Sequence, residues 1–329
     1  AILSSIDLNV AVLTAARRTF VGMSKFSLTA IPFFILAGNI MNQGGIAKRL
    51  VDFVMSILGK LPGALLITNI GTNALFGAIS GSASAAAAAV GSMIRDGAEE
   101  QGYDPAVTAA TNAASSCSGL LIPPSNALIT YSLASGGTSV AALFMAGYVP
   151  GIIWALACAV VGVILAKKLG YKGTPGKFDW KNLGVCTLRA LPSLSLIIVV
   201  IGGIVGGVFS ATEGSAIAVV YALFVEVFIT RSMTRKLFFE IIKSSVRINA
   251  AIFLVVASAT ALGQIMMYYN LSAAVLDTIM GISTSKVVIM ALILVVLLIL
   301  GTFLEAAAII MIVTPLLLPV INAIGVARW

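Results

Sequence analysis

Thirty-four consecutive residues, Leu61 to Ile94, are almost wholly apolar, yet their middle reads Gly-Ala-Ile-Ser-Gly-Ser-Ala-Ser, Gly77 to Ser84. A helix that crosses a bilayer needs roughly 20 apolar residues, so this run is long for one crossing and short for two crossings plus a turn. Glycines and the hydroxyls of Ser80, Ser82 and Ser84 loosen a helix and leave polar groups that hydrocarbon cannot satisfy. The economical reading is a re-entrant hairpin whose arms, about 15 residues each, meet at a polar tip near the membrane midplane, where broken helices build ion and solute sites. The alternative is one long tilted helix whose small residues pack against a neighbour.

Such a hairpin requires a membrane around it, and composition supplies one. Hydrophobic residues are 60% of the chain and charged residues 10%, against roughly 25% charged in soluble proteins. The fold class read from this is an all-α polytopic membrane protein. The 20 Lys and Arg exceed the 12 Asp and Glu, but the excess sits in short loops and reports topology rather than a nucleic-acid partner. No histidine is present, which removes the commonest acid–base group and the commonest transition-metal ligand. Cys117, Cys158 and Cys186 lie on apolar segments without metal or disulfide spacing. An intramembrane serine protease built on Gly81-Ser82 fails on chemistry, since neither a histidine nor a hairpin-core lysine is there to activate the serine. The chain reads as a transporter, not an enzyme.

Along the chain, Phe26 to Met41 reads as a helix and Gly44 to Leu58 as an amphipathic interfacial arm. After the hairpin (61–94) comes the acidic loop Arg95–Pro105. The segment 106–132 is apolar but interrupted by Ser115-Ser116-Cys117-Ser118-Gly119 and by Ile122-Pro123-Pro124-Ser125-Asn126, a second place for unwound backbone at membrane depth. Val140–Ala166 is a span, 170–182 a polar linker, and Leu183–Phe209 a further span. Ser210-Ala-Thr212-Glu213 has the pattern of a helix cap ahead of the next span, to Ile229. Thr230–Arg247 reads as a basic loop, followed by a span to Tyr269, an arm at 271–282, and a second long apolar run, 287–320, interrupted at Gly301-Thr302-Phe303-Leu304-Glu305.

The halves repeat. A shift of 225 lays Gly38–Ile57 on Gly263–Ile282, with Gly38/Gly263, Ile40/Ile265, Met41/Met266, Asp52/Asp277, Met55/Met280 and Ile57/Ile282 identical. The same shift lays the first hairpin on the second interrupted run. The chain divides into a first repeat, 1–169 (arm 44–58, hairpin 61–94, broken helix 106–132), the linker 170–182, and a second repeat, 183–329 (arm 271–282, hairpin 287–320). Placing the basic segments Lys167–Lys181 and Thr230–Arg247 on the cytoplasmic side makes the two hairpins open to opposite faces. Inverted repeats with opposed hairpins are an alternating-access transporter architecture. By the same offset, the partner of the broken segment falls beyond Trp329 and the partners of Leu183–Ile229 fall before Ala1, so both ends of the natural chain are expected to extend further.

Six stretches then carry a resemblance: AIPFFILAGNIM (30–41), FGAISGSASAAAAAVGSMI (76–94), GLLIPPSNALITY (119–131), FMAGYVPG (144–151), GGVFSATEGSAIAVVYAL (206–223) and PLLLPV (315–320). In order and over nearly the whole chain, they resemble the large membrane subunit of the tripartite ATP-independent periplasmic (TRAP) transporters. The resemblance implies Na⁺-driven, elevator-type uptake of a carboxylate across the bacterial inner membrane. A small membrane subunit and a periplasmic substrate-binding protein complete the system. The chain departs from the family pattern by ending before the second proline-pair segment that follows PLLLPV in relatives, so half of one expected ion site is not in view.

Candidate residues follow. Ser80, Gly81 and Ser82, with Ser116 and Gly119 on the facing broken helix and Gly301 and Glu305 in the second interruption, are candidates for two or more Na⁺ sites. Na⁺ takes about five or six oxygens, which hydroxyls and unwound carbonyls supply. Ser82, Ser84, Ser118, Pro123, Pro124, Ser125 and Asn126 are candidates for the carboxylate, held by hydroxyls, amides and half-helix N-termini. The bland readings are small-residue packing and a proline kink. Glu305, an acid inside an apolar run, either completes a sodium site or pairs for structure, and the sequence leaves both open. Thr212 and Glu213 fit a cap better than a site. Arg17, Arg18, Lys48 and Arg49 fit lipid headgroups better than solute steering. Sialic acid and C4-dicarboxylates are both admissible solutes. A stand-alone Na⁺/dicarboxylate symporter of related fold is the neighbouring alternative, separated by whether uptake needs a soluble partner.

Overall fold

A computed structural model of the chain describes residues 8–43, 45–173 and 178–325. Gly44 of the first arm, 174–177 of the linker, and both chain ends lie outside the described residues. Among those described the structure is helical, without strands. The chain packs as two compact units: 30–128 with 141–246, and 1–29 with 129–140 and 247–329.

The first of these units is organised on the leading arm of the expected hairpin. Helices α2 (Ala30–Gln43), α3 (Ile46–Leu58), α4 (Ala64–Ser80), α5 (Ala83–Glu100) and α6 (Pro105–Ser116) follow one another through short turns. Almost every residue of α4 is buried, on all faces, because α2, α3, α5 and α6 all pack against it. A helix this apolar all round is a core element. Its two ends are left-handed glycines, Gly63 (φ 73°) and Gly81 (φ 63°), a conformation that costs a residue with a Cβ roughly 1–2 kcal/mol. After α6, Cys117 interrupts the helix, and a single turn α7 (Ser118–Leu121) gives way to unwound backbone over Ile122–Ser125. Helix α8 (Asn126–Ala134) then begins.

Helix α9 (Val140–Lys168) has most of its apolar surface exposed, and Trp154 on it donates its indole N–H to Ala114 O (2.9 Å). Helix α10 (Trp180–Val205) is capped by Asp179, which accepts from Lys181 N and Asn182 N. The cap expected at Ser210–Glu213 is present as a reciprocal box opening α11 (Ala211–Phe224): Ser210 N–H donates to Glu213 Oε2 (2.7 Å) and Glu213 N–H to Ser210 Oγ (3.3 Å).

The basic segment read as a loop, Thr230–Arg247, is mostly helix: α12 runs unbroken from Arg235 to Tyr268. Thr234 Oγ1 accepts from Leu237 N, giving the helix a start, and Lys and Arg are good helix formers, so the basic residues continue it rather than end it.

In the second unit, helix α1 (Leu8–Met23) lays Gly22 against Thr260 of α12. Helices α13 (Leu271–Ile282), α14 (Lys286–Gly301) and α15 (Ala306–Ala323) gather around Ile279, Ile289, Ile293 and Val320. The pair α14–α15 is broken at Thr302–Glu305. The arms α3 and α13 both follow a left-handed residue, Gly45 (φ 79°) and Asn270 (φ 48°), which stand 225 positions apart. Among the described residues, five helices are long and apolar enough to cross a membrane: Val140–Lys168, Trp180–Val205, Ala211–Ile229, Arg235–Tyr268 and Ala306–Ala323. Helices α4 and α14 are apolar but shorter.

Candidate functional site

The first interruption is tight. Only Gly81 and Ser82 leave the helical conformation between α4 and α5. Ser82 (φ −140°, ψ 124°) turns the chain and accepts a long bond from Ala85 N (3.4 Å) as the cap of α5. The backbone freed at this turn meets the backbone freed by the proline pair. Gly81 O accepts the N–H of Asn126 (3.2 Å), and a Cβ on Gly81 would stand 2.7 Å from Pro124 O. Behind this contact a Cβ on Gly77 would fall on the Cα of Gly119, and one on Gly119 would lie 3.3 Å from Ser82 O. A further glycine, Gly38 of α2, lets Ser80 approach, since a Cβ there would sit 3.0 Å from Ser80 Cα. Contacts at four glycines, Gly38, Gly77, Gly81 and Gly119, therefore bring α2, α4 and the single turn α7 to backbone distance around the tip.

The candidate residues of the first repeat are brought together in part. Ser80 is buried and its hydroxyl donates to Ser82 O (3.4 Å). Ser82 is half-buried and Ser84 exposed, their hydroxyls 3.1 Å apart. Gly119, Pro123, Pro124 and Ser125 are buried beside them, and the Pro123–Pro124 bond is cis. Ser125 donates to Leu120 O (2.5 Å) and accepts from Leu128 N (3.4 Å), closing the unwound stretch on itself. Ser116 and Ser118, also buried, donate to Ala113 O (2.9 Å) and Ser115 O (2.7 Å), leaving only their lone pairs for a ligand. Gly301 and Glu305 belong to the other unit. Both are exposed, and Glu305 caps α15 by accepting from Ala307 N (3.1 Å).

Two features escaped the sequence reading. Asn69, Thr72 and Asn73 of α4 are fully buried, and the Asn73 amide reaches Asn69 Oδ1 (2.7 Å), Ser115 Oγ (2.8 Å) and Asn112 Oδ1 (3.0 Å). The signal was the repeated Thr-Asn in an otherwise apolar run, Thr68-Asn69 and Thr72-Asn73, one helical turn apart. The second is Glu226, fully buried just past α11, accepting from Thr230 Oγ1 (2.6 Å) and from Ser232 Oγ. An acid within the apolar run 211–229 was its signal.

Comparison with known proteins decides the family. The family of the tripartite ATP-independent periplasmic transporter, DctM component, matches residues 2–329. The chain belongs to the DctM family. YgiK of Salmonella typhimurium is 44% identical over 99% of this chain and 74% of its own length. The isethionate TRAP transporter permease protein DctMQ of Oleidesulfovibrio alaskensis is 36% identical over 94% of this chain and 49% of its own. The sialic acid TRAP transporter large permease protein SiaM of Vibrio cholerae is 35% identical over 95% and 73%. This DctM-family chain is thus a multi-pass membrane protein of transporter type, and the tip of its α4–α5 pair is packed backbone to backbone on the proline-broken segment.

Proposed function

We propose that the chain is the transporting subunit of a Na⁺-coupled importer for a small carboxylate in the bacterial inner membrane. A periplasmic substrate-binding protein delivers the solute, and a small membrane subunit completes the permease. The observation that carries the reading is the meeting of two helix breaks, Gly81 O on Asn126 N–H. Two unwound stretches side by side offer what a desolvated cation and an anion both need: carbonyl oxygens and hydroxyls from Ser80, Gly81, Ser82, Ser116 and Gly119 for Na⁺, and hydroxyl donors from Ser82 and Ser84 with the Asn126 side-chain amide for the carboxylate, joined by Ser118 and Ser125 once their hydroxyls turn from Ser115 O and Leu120 O to the anion. Pro123 and Pro124 hold the second break open because neither can donate to a helix. Na⁺ ordering both breaks makes solute binding conditional on the ion, which is coupling in thermodynamic terms.

Pairs α4–α5 and α14–α15 are the two hairpins of an inverted repeat in this reading, with Gly301 and Glu305 at the second tip, and transport is of the elevator type. Sialic acid and isethionate, named for two relatives, are both small organic acids. Radiolabelled uptake by cells that express the full-length chain and its small subunit, with or without the binding protein, tests the reading. Uptake only with the binding protein supports it. Na⁺-dependent uptake with no soluble partner assigns the chain to stand-alone Na⁺/dicarboxylate symporters.

A further inference from the structure

The polar cluster of α4, Asn69 to Asn73, lies 7 to 11 residues before the tip's Ser80, about 10–16 Å along a helix, and the tip does not use it. Its centre is over-supplied with oxygen. An amide nitrogen carries two hydrogens, yet Asn73 Nδ2 faces three acceptors: Asn69 Oδ1, Ser115 Oγ and Asn112 Oδ1, at 2.7, 2.8 and 3.0 Å. On its other side Asn73 Oδ1 has no partner among the described residues, and neither has Asn69 Nδ2. Both residues are wholly buried, where an unsatisfied polar group costs about 1–3 kcal/mol. As hydrogen-bonding glue between α4 and α6 the cluster is poorly made.

We propose that it is a second kind of ion position, a site for a monovalent cation of Na⁺ type between the hairpin arm α4 and the broken helix α6. Turning the Asn73 amide by half a turn breaks no bond on its Oδ1 side and brings a fourth oxygen to the three already converging. With the Ser115 hydrogen directed at Asn112 O (3.3 Å), its lone pairs and the three amide oxygens then face one another, and a cation reconciles them. The donors are all neutral, which suits a monovalent ion; a divalent one calls for carboxylates. A cavity of about 460 Å³ supplies both access and water for the remaining coordination. It is lined by Asn69 and Asn112 beside the cluster and by the exposed Arg95 and Glu99. An ion here ties α4 to α6, the helices whose far ends carry the two breaks, so it stiffens the tip from a distance. The inference deepens the Na⁺-coupled reading and rests on it for the ion's identity.

The test uses the purified full-length protein with its small subunit in lipid nanodiscs, at constant ionic strength in choline chloride. The midpoint of thermal unfolding is followed against Na⁺, with K⁺ in a parallel series. Asn73→Asp and Asn112→Asp each replace a dipole by a full charge and are expected to lower the half-saturating Na⁺ concentration about tenfold, with K⁺ weaker. Asn112 is only half-buried, so its variant reads the site even where Asn73→Asp fails to fold. Ser92 is exposed and its hydroxyl bonds back to Ala89 O, so Ser92→Asp puts the same charge on the cavity wall in solvent, where it is screened, and is expected to shift little. Unchanged half-saturation in the Asn variants, or an equal shift from Ser92→Asp, overturns the site while leaving wild-type Na⁺ dependence intact. A wild type with no Na⁺ response removes this site and the Na⁺-coupled reading together.

Discussion

Replacing Gly81 by alanine isolates the contact on which the proposed site depends. Two costs are expected. The left-handed backbone (φ 63°) costs an alanine roughly 1–2 kcal/mol, part of it offset by the lower entropy of the unfolded chain. The new methyl would stand 2.7 Å from Pro124 O and 3.3 Å from Asn126 N, so the proline stretch must shift, at about 1–3 kcal/mol for overpacking. The shift also loses or lengthens the Gly81–Asn126 bond, about 1 kcal/mol more. The sum is ~3–6 kcal/mol before that offset. Gly102 is the control: it is left-handed too (φ 73°), but a Cβ there meets nothing within 4 Å, so Gly102→Ala bears only the first cost. Thermal unfolding of the two variants in nanodiscs is expected to show a drop for Gly81→Ala at least twice that for Gly102→Ala, with Na⁺-dependent solute binding lost in the first and kept in the second. Equal drops, or Gly81→Ala binding normally, would refute the argument that the two breaks are held by backbone contact.

Other expectations follow from single contacts. Glu213→Ala removes one half of the Ser210 box and is expected to lower stability by about 1 kcal/mol without moving the Na⁺ half-saturation of uptake, read by thermal unfolding and transport side by side. Trp154→Phe loses the bond to Ala114 O and is expected to cost about 1 kcal/mol by the same unfolding measurement. Tyr103, buried and stacked on Tyr171 with ring centroids 4.2 Å apart, has its phenol pushed above the usual value of 10 by burial. Its contribution to stability is therefore complete below pH 10 and declines as pH rises through the raised value. Tyr103→Phe, which has no proton to lose, is expected to flatten that alkaline decline in the unfolding midpoint.

Much of the helical plan was legible because its signals are local. A glycine-serine interruption in an apolar run marked the turn that falls at Gly81–Ser82, the proline pair marked the unwound Ile122–Ser125, and Ser210 with Glu213 marked a cap. What was not legible depends on partners far along the chain. That Gly77 is small because Gly119 lies against it, and Gly38 because Ser80 does, needs the fold. The amides of Asn69 and Asn73 are hidden differently: in a run this apolar two asparagines barely change the average, and only the packing shows Asn73 bonded to Asn69 on its own helix and to Asn112 and Ser115 of α6. Charge marks the basic residues after Thr230 for topology and so suggests a loop, whereas their helix propensity and the Thr234 cap decide the local structure.

The central claim is that solute movement is driven by Na⁺ through the tip at Gly81–Ser82. It is tested most directly in proteoliposomes holding the full-length chain and its small subunit, with the loaded binding protein outside, by measuring initial uptake under an inward Na⁺ gradient and again with equal Na⁺ on both sides. Accumulation above the outside concentration only under the gradient, with Ser82→Ala requiring more Na⁺ for half-maximal rate, is the predicted result. Accumulation that is indifferent to the Na⁺ gradient would contradict the account.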